Sequence, residues 1–250
     1  MAGHSKWANI KHRKMSQDAK RGQAYGKFSR EIIMATKIAG ADPAANFRLR
    51  TAIERAKAAG LPNDTVERAI AKGAGQLQGD QLENLTYEGY GPGGVAILIE
   101  AMTDNRNRTA GDIRSYFNKY QGNLGESGCV AWMFEEKGQI RIPAGNLAED
   151  VVLEAALEAG ADDVHLNEEE QVFEIWTSPL ALNTVCQALK IPIQSAEVTR
   201  IPQTMVSVTE ADVAKPLLRL LDAIEDQDDV QAVHANFEMD DAMMMACSPQ

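Results

Sequence analysis

Apolar residues recur at helical spacing along the N-terminal part of the chain. Tyr25, Phe28, Ile32, Ala35 and Ala39 follow at intervals of three and four, which stacks them on one side at about 100° per residue and predicts a helix over 16–39. Lys20, Lys27, Arg30 and Lys37 fall on the opposite side. Gly22 and Gly26 weaken its first half, each by roughly 1 kcal/mol relative to Ala, and Gly40 supplies a stop. A second helix is predicted from Pro43 to Ala59, with Ala45, Leu49, Ala52, Ile53 and Ala56 inward and Gly60 ending it. Asp64 and Glu67 have capping-box spacing and open a short third helix, with Val66, Ala69 and Ile70 as its face before Gly73. Three stripes on three helices predict a small bundle. Gly73–Leu82 lacks periodicity and reads as a linker.

Beyond the linker, strands alternate with helices. Val95–Met102, a helix near Thr109–Tyr120 and a strand near Cys129–Phe134 form one βαβ pattern. Ile140–Pro143, a helix over Leu147–Ala159, strands Val164–Asn167 and Val172–Thr177, a helix opened by Ser178-Pro179 and strand Ala196–Arg200 then give βαββαβ, a complete ferredoxin-like unit. Strand Met205–Val208, a helix with the stripe Val213, Leu217, Leu220, Leu221 and Ile224, and strand Val230–Ala235 make another half. Pro216 fits only if that helix begins a few residues earlier. The expected fold class is α+β, an N-terminal three-helix bundle followed by two ferredoxin-like α/β domains: a basic helical domain at 1–80, an α/β domain of 83–138 plus 203–238, and a βαββαβ domain at 139–202 inserted into it. An open sheet running sequentially through the whole region is the alternative.

The 250 residues are 44% hydrophobic and 24% charged, the composition of a soluble globular chain. No apolar run reaches the ~18 residues of a membrane span, and the polar, basic start has no signal-peptide centre. Three widely spaced cysteines, Cys129, Cys186 and Cys247, fit neither a disulfide framework nor a zinc site. A cytoplasmic protein is expected. The net charge of −11 hides a division: residues 1–72 carry fifteen Lys and Arg against six acids, +9, and 73–250 carry ten against thirty, −20. A cationic module attracts polyanions, whereas the acidic remainder is read as a solubilising surface.

The segment MAGHSKWANIKHRKMSQDAKRG sets Lys6, Lys11, Arg13, Lys14, Lys20 and Arg21 among His4, Trp7 and His12, with Asp18 as its one acid. Lys and Arg neutralise phosphate, Trp stacks on bases, and imidazole bonds phosphate or base edges. With almost no apolar stripe it reads as an arm that a polyanion orders. Its plain alternative is a solvated tail. Arg48, Arg50, Arg55 and Lys57 spread over two sides of the second helix, so only part of them could meet one nucleic-acid surface; Glu54–Lys57 pairing on a solvated face is the alternative. No helix-turn-helix recognition helix stands out. Arg106 and Arg108 sit at a helix start, where cations are mildly disfavoured. An anion there would relieve the conflict, and so would Asp104 or Asp112.

GYGPGG at 89–94 precedes a strand and lacks GK[ST], so it is a tight turn rather than a phosphate loop. His165 and His234 have no nucleophile at motif spacing, Cys129 and Cys186 read as core residues, and Glu225, Asp226, Asp228 and Asp229 read as a solvated helix end rather than a divalent-metal site. No enzyme, cofactor or metal is expected. An enzymatic alternative places substrate on Arg106 and Arg108 and metal on Asp104 or the 225–229 acids.

MAGHSKWANIKHRK at the start, DAKRG at 18–22, RLRTAIERAKAAGLPNDTVERAIAKGAG at 48–75, YEGYGPGGVA at 87–96, TDNRNRT at 103–109 and LLDAIEDQDDVQAVHAN resemble the YebC family over nearly the whole chain. Gln23, Gly26, Phe47, Gln121 and Cys129 depart from its usual pattern. The resemblance implies a basic helical first domain and two α/β domains, the third inserted in the second. It further implies a DNA-binding transcriptional regulator of the bacterial cytoplasm, with a mitochondrial relative that activates translation. The alternative within the family is a ribosome-associated factor that binds ribosomal or transfer RNA and relieves stalling at proline runs. On these grounds the expected nucleic-acid contacts are the arm residues above with Lys27, Arg30, Arg48, Arg50, Arg106 and Arg108, and the expected partners are DNA or RNA and the ribosome, with no membrane and no small-molecule substrate.

Overall fold

The computed structural model describes residues 17–77, 82–145, 147–168 and 170–247, with 17–23 and Phe47 described as backbone only. The chain divides into two compact units, Met1–Phe134 with Pro202–Gln250, and Glu135–Ile201. The first is therefore built from chain on both sides of the second.

The first unit opens with a bundle of α1 (Gln17–Ala39), α2 (Phe47–Ala58) and α3 (Asn63–Gly73). Ile32, Ala35, Leu49, Ala52, Ala56, Leu61, Val66 and Ala69 form its core, with Tyr25, Phe28, Ile33, Ile53 and Ile70 packed around them. α1 continues through both glycines and stops at Gly40, whose φ of 89° is the left-handed geometry glycine tolerates best. Three details differ from expectation. Ala39 and Ala45 are exposed, and α2 begins four residues after Pro43 because Asn46 is its N-cap. The Asn46 side chain accepts from the Leu49 N–H at 3.0 Å and donates to the carbonyls of Ala35 and Gly40 at 2.8 and 2.7 Å, tying α2 to the end of α1. Asp64 does not cap α3, whose N-cap is Pro62; it lies inside the helix and pairs with Arg68 one turn on.

A four-stranded sheet follows, built of β1 (Glu83–Tyr90), β2 (Ala96–Thr103), β3 (Asn123–Leu124) and β9 (Val230–Ala235) in the order β3-β1-β2-β9. It is not the expected ferredoxin-like sheet, because β1 takes the place beside β2 that the 205–208 strand would hold. β1 lies in a stretch without a sequence prediction. It pairs antiparallel with β2 from Glu83↔Thr103 to Tyr90↔Ala96, and the glycine-rich turn closes the hairpin with Gly93 and Gly94 at positive φ. One sheet face carries Val95, Ile97 and Ile99 against α4 (Arg106–Lys119) and α7 (Ala211–Glu225), through Ile113, Phe117, Leu217, Leu220, Leu221 and Ile224. α7 starts five residues before Pro216, so the proline lies inside the helix, past its first turn, and cannot donate to the Asp212 carbonyl. The other face carries Ala96 and Leu98 under Val130 and Phe134. Here Cys129–Met133 is not the expected strand but a bend and a 3-10 helix, Ala131–Met133, and Phe134 opens the next strand. Gln121 turns the chain after α4 at φ 63°, a position that favours glycine. At the C-terminal end β10 (Phe237–Glu238) pairs parallel with β8 (Val206–Ser207), and α8 (Asp241–Cys247), absent from the sequence reading, buries Met244 and Cys247.

The second unit holds β4 (Phe134–Pro143), α5 (Glu149–Glu158), β5 (Asp163–Asn167), β6 (Val172–Thr177), α6 (Leu182–Ala188) and β7 (Ser195–Pro202). Sheet order β5-β6-β4-β7 with antiparallel β4–β6 and β5–β6 pairs is ferredoxin-like. Ile140, Ile142, Phe173 and Ile175 of the sheet are buried, as are Val152, Ala156, Leu182 and Val185 of the two helices.

Candidate nucleic-acid interface

The bundle presents cations of two kinds, those turned to solvent and those engaged by the rest of the first unit. Lys27 Nζ donates to the carbonyl of Glu225 at 2.6 Å, at the C-terminal end of α7, where unpaired carbonyls carry the negative end of the helix dipole. Arg30, nearly one turn on, donates to the Asp228 carbonyl at 2.5 Å and lies 3.3 Å from Asp229 Oδ1.

Asp229 is the junction between helices from distant parts of the chain. Its side chain is 3% exposed, and its Oδ2 accepts from Arg108 at 2.8 Å, from the Thr109 hydroxyl at 2.7 Å and from the Thr103 hydroxyl at 3.1 Å. Burial pushes this carboxyl up, but the hydrogen bonds from Arg108, Thr109 and Thr103, with the charge of Arg108, outweigh it and hold it below the usual carboxylate range. The same contacts hold the Arg108 proton more firmly than usual. Sequence reading placed Asp229 in a solvated run; its neighbours in space come from β2, α4 and α1, which no local pattern reveals.

The conflict at the start of α4 is relieved by carboxylates: Arg108 meets Asp104 at 2.9 Å as well as Asp229, while Asp112 accepts from the Gln227 amide at 3.3 Å. Asn105 caps the helix, accepting from the Arg108 N–H at 3.1 Å. Arg106 is exposed, and its carbonyl accepts from the Tyr87 hydroxyl at 3.3 Å. On α2, Arg50 donates to the Pro43 carbonyl at 3.2 Å and Arg55 faces Glu31 at 3.3 Å. Arg48 and Lys57 are exposed and make no ion pair among the described residues. His4, Lys6, Trp7, Lys11, His12, Arg13 and Lys14 lie outside the described residues, and Lys20 and Arg21 are placed by backbone alone in the first turns of α1.

The other candidates for chemistry sit apart from one another. His165 pairs with Asp163 at 2.9 Å on the surface, and His234 lies 3.7 Å from Glu100. Cys129 and Cys186 are half-buried rather than core residues, and burial together with Glu88 raises the Cys129 thiol away from thiolate character. Among the described residues no group of three His, Cys, Asp or Glu is placed to hold a metal ion. Glu88 was not anticipated. Buried at 4% exposure on β1, it accepts from the N–H groups of Gly128, Val130 and Ala131 at 2.7, 2.8 and 2.7 Å, which fixes the loop before the 3-10 helix.

A cationic helical head keyed by a buried carboxylate to an α/β unit, which is itself interrupted by a ferredoxin-like unit, defines a class of α+β protein with oppositely charged parts. Residues 5–76 match the TACO1/YebC protein N-terminal domain and residues 82–237 the TACO1/YebC second and third domain, so the chain belongs to the TACO1/YebC family. It is 52% identical to a Persephonella marina protein over 247 residues, covering 98% of each, and 55% identical to one from Acaryochloris marina over 251 residues, covering 97% of this chain and 99% of that one. Both relatives are named probable transcriptional regulatory proteins. A crystal structure of a conserved hypothetical protein from Aquifex aeolicus is similar at a TM-score of 0.81 and 47% identity, over 91% of this chain and 96% of that one. No helix among the described residues is long and apolar enough to cross a membrane.

Proposed function

We propose that this chain is a non-enzymatic, nucleic-acid-binding regulator of gene expression that acts in the cytoplasm. The observation that carries the reading is the segregation of charge, +9 in residues 1–72 against −20 in the remainder. The names of the relatives support a regulator, and DNA-directed control of transcription is the first form of the proposal. The arm supplies phosphate contacts through Lys6, Lys11, Arg13, Lys14, Lys20 and Arg21, with Trp7 for stacking and His4 and His12 for polar contacts. Arg48, on the exposed side of α2, and Arg106, at the start of α4, extend the cationic surface. Lys27, Arg30 and Arg108 contribute less, because carbonyls and Asp229 already hold them.

A second form, binding of ribosomal or transfer RNA in translation, is favoured by one feature: α3 has a mixed charge pattern and eleven residues, and is not built for reading a major groove. In-cell crosslinking followed by sequencing separates the two. Recovery of promoter DNA supports the first form and recovery of ribosomal or transfer RNA the second, while recovery of neither removes the proposal.

A further inference from the structure

The second unit is the anionic counterpart of the bundle. Glu135–Ile201 holds thirteen acids against Lys137, Arg141, Lys190 and Arg200, which is 4 − 13 = −9. A polyanion drawn to the bundle is repelled here. The helix α5, EDVVLEAALE, concentrates the effect with four acids and no base.

Its outer surface is more than a solvated acidic face. Val152 and Ala156 are fully buried and complete the contact of α5 with its own core. Asp150, Glu154 and Glu158 stand at intervals of four, in one row along the outside. Leu153 and Leu157, one turn apart, line one side of that row at 39% and 54% exposure, and Val151 lines the other at 55%. The three acids make no ion pair among the described residues, so like charges at i,i+4 oppose the helix without relief. Aliphatic flanks left in water and an uncompensated acidic row are both relieved by one complementary surface: a helix with a row of Lys or Arg bordered by aliphatic residues.

We propose that the outer face of α5 is a docking surface for a basic amphipathic helix of a protein partner. With the bundle on nucleic acid, the chain then bridges a polyanion and a cationic protein; that bridging role rests on the proposed function, whereas the docking surface does not.

The test uses the full chain and a fluorescently labelled helical peptide of Leu and Lys, with lysines at i,i+4 flanked by leucines. A scrambled peptide of the same composition and a single-stranded oligonucleotide serve as comparisons. The amphipathic peptide should bind at least tenfold more tightly than the scrambled one, with amide shifts centred on α5. The double variant Leu153→Ser/Leu157→Ser should weaken it about tenfold. Glu154→Lys/Glu158→Lys should do the same and also flatten the salt dependence. Both variants change exposed positions, and unaltered thermal unfolding confirms that each is folded. The leucine variant should leave oligonucleotide affinity unchanged, and the Glu→Lys variant, which replaces repelling charges with attracting ones, should not lower it. Equal binding of the two peptides, or wild-type peptide affinity in both variants, overturns the proposal, as does loss of oligonucleotide binding in the leucine variant, which would put nucleic acid on this face. Failure of the oligonucleotide to bind any form of the chain would remove the nucleic-acid reading and leave the docking result standing.

Discussion

Arg30 on α1 and Asp229, just before β9, meet at 3.3 Å and join the bundle to the sheet. Arg108 approaches the same carboxylate from α4, so two guanidinium groups from separate helices share one buried acid. Removing Asp229 takes away a charged acceptor, whereas the two guanidinium groups left behind are 24% and 48% exposed and are solvated by water. Asp229→Ala should therefore destabilise the first unit by about 1.5–3 kcal/mol, the contribution of hydrogen bonds to a charged group, read from the denaturant midpoint at constant slope. A change indistinguishable from that of an exposed variant such as Asp64→Ala would show that the junction contributes nothing.

The same acid predicts a pH dependence with a definite sign. Its carboxyl is held below the usual range in the folded chain, whereas the unfolded chain protonates near the ordinary Asp value of about 3.9. Its contribution is complete above that unfolded value and is lost as pH falls through the lower folded value. Wild-type protein should lose more stability than Asp229→Asn between about pH 4 and the onset of acid unfolding, so their curves converge. Parallel curves through this window would contradict the assignment.

Bundle helices and the ferredoxin-like unit were legible because their signals are local. The stripes of α1 and α2 repeat every three to four residues, and strands Val172–Thr177 and Val230–Ala235 have the predicted bounds. What escaped depends on partners distant in sequence. β1 carries Tyr87 and Glu88 and ends in a glycine-rich turn, and its strand character rests on pairing with β2. Cys129–Phe134 is an apolar run that periodicity alone cannot distinguish from a strand; the Glu88 carboxylate captures the N–H groups a ladder would need. The α2 start moved because Asn46 has two carbonyl partners at the end of α1 to bind, a preference stronger than that of Pro43 for a first turn.

Two glycines should respond oppositely to the same substitution. A Cβ at Gly73 would stand 2.5 Å from the Ile33 carbonyl oxygen and 2.6 Å from Thr36 Cβ, where α3 crosses α1. Gly73→Ala should cost about 1–3 kcal/mol through forced separation of the helices. Gly111 lies inside α4 with nothing within 4 Å of its added Cβ, and Gly111→Ala should stabilise by up to about 1 kcal/mol. Thermal unfolding of the two variants provides the comparison, and a shift of the same sign in both would refute it.

Glu88→Gln keeps the side-chain shape but replaces one of the acceptor oxygens with a donor facing the loop amides. Hydrogen bonds to a charged group contribute about 1.5–3 kcal/mol, so a loss of roughly 2 kcal/mol is expected. Amide exchange at Gly128, Val130 and Ala131 should accelerate ahead of exchange in β2. Unchanged protection at those three amides would mean that the loop is held by Val130 and Phe134 packing alone.

The arm separates binding from solvation by its salt dependence. Each phosphate contact releases condensed counterions, so the slope of log affinity against log salt becomes less steep by about 0.7–0.9 for every contact removed. Alanine at Lys6, Lys11, Arg13 and Lys14 together should flatten it by roughly 2–4 units, whereas the same substitution at Arg48 removes at most about one. Trp7→Ala acts on base faces instead of phosphates, with a loss of about 1–3 kcal/mol and little change in slope. Arg30→Ala should change stability more than slope, because Asp229 and the Asp228 carbonyl already hold its guanidinium. If the slope and affinity stay at wild-type values in both arm variants while Arg48→Ala and Arg106→Ala lower them, the cationic surface lies on the bundle and α4 rather than on the arm.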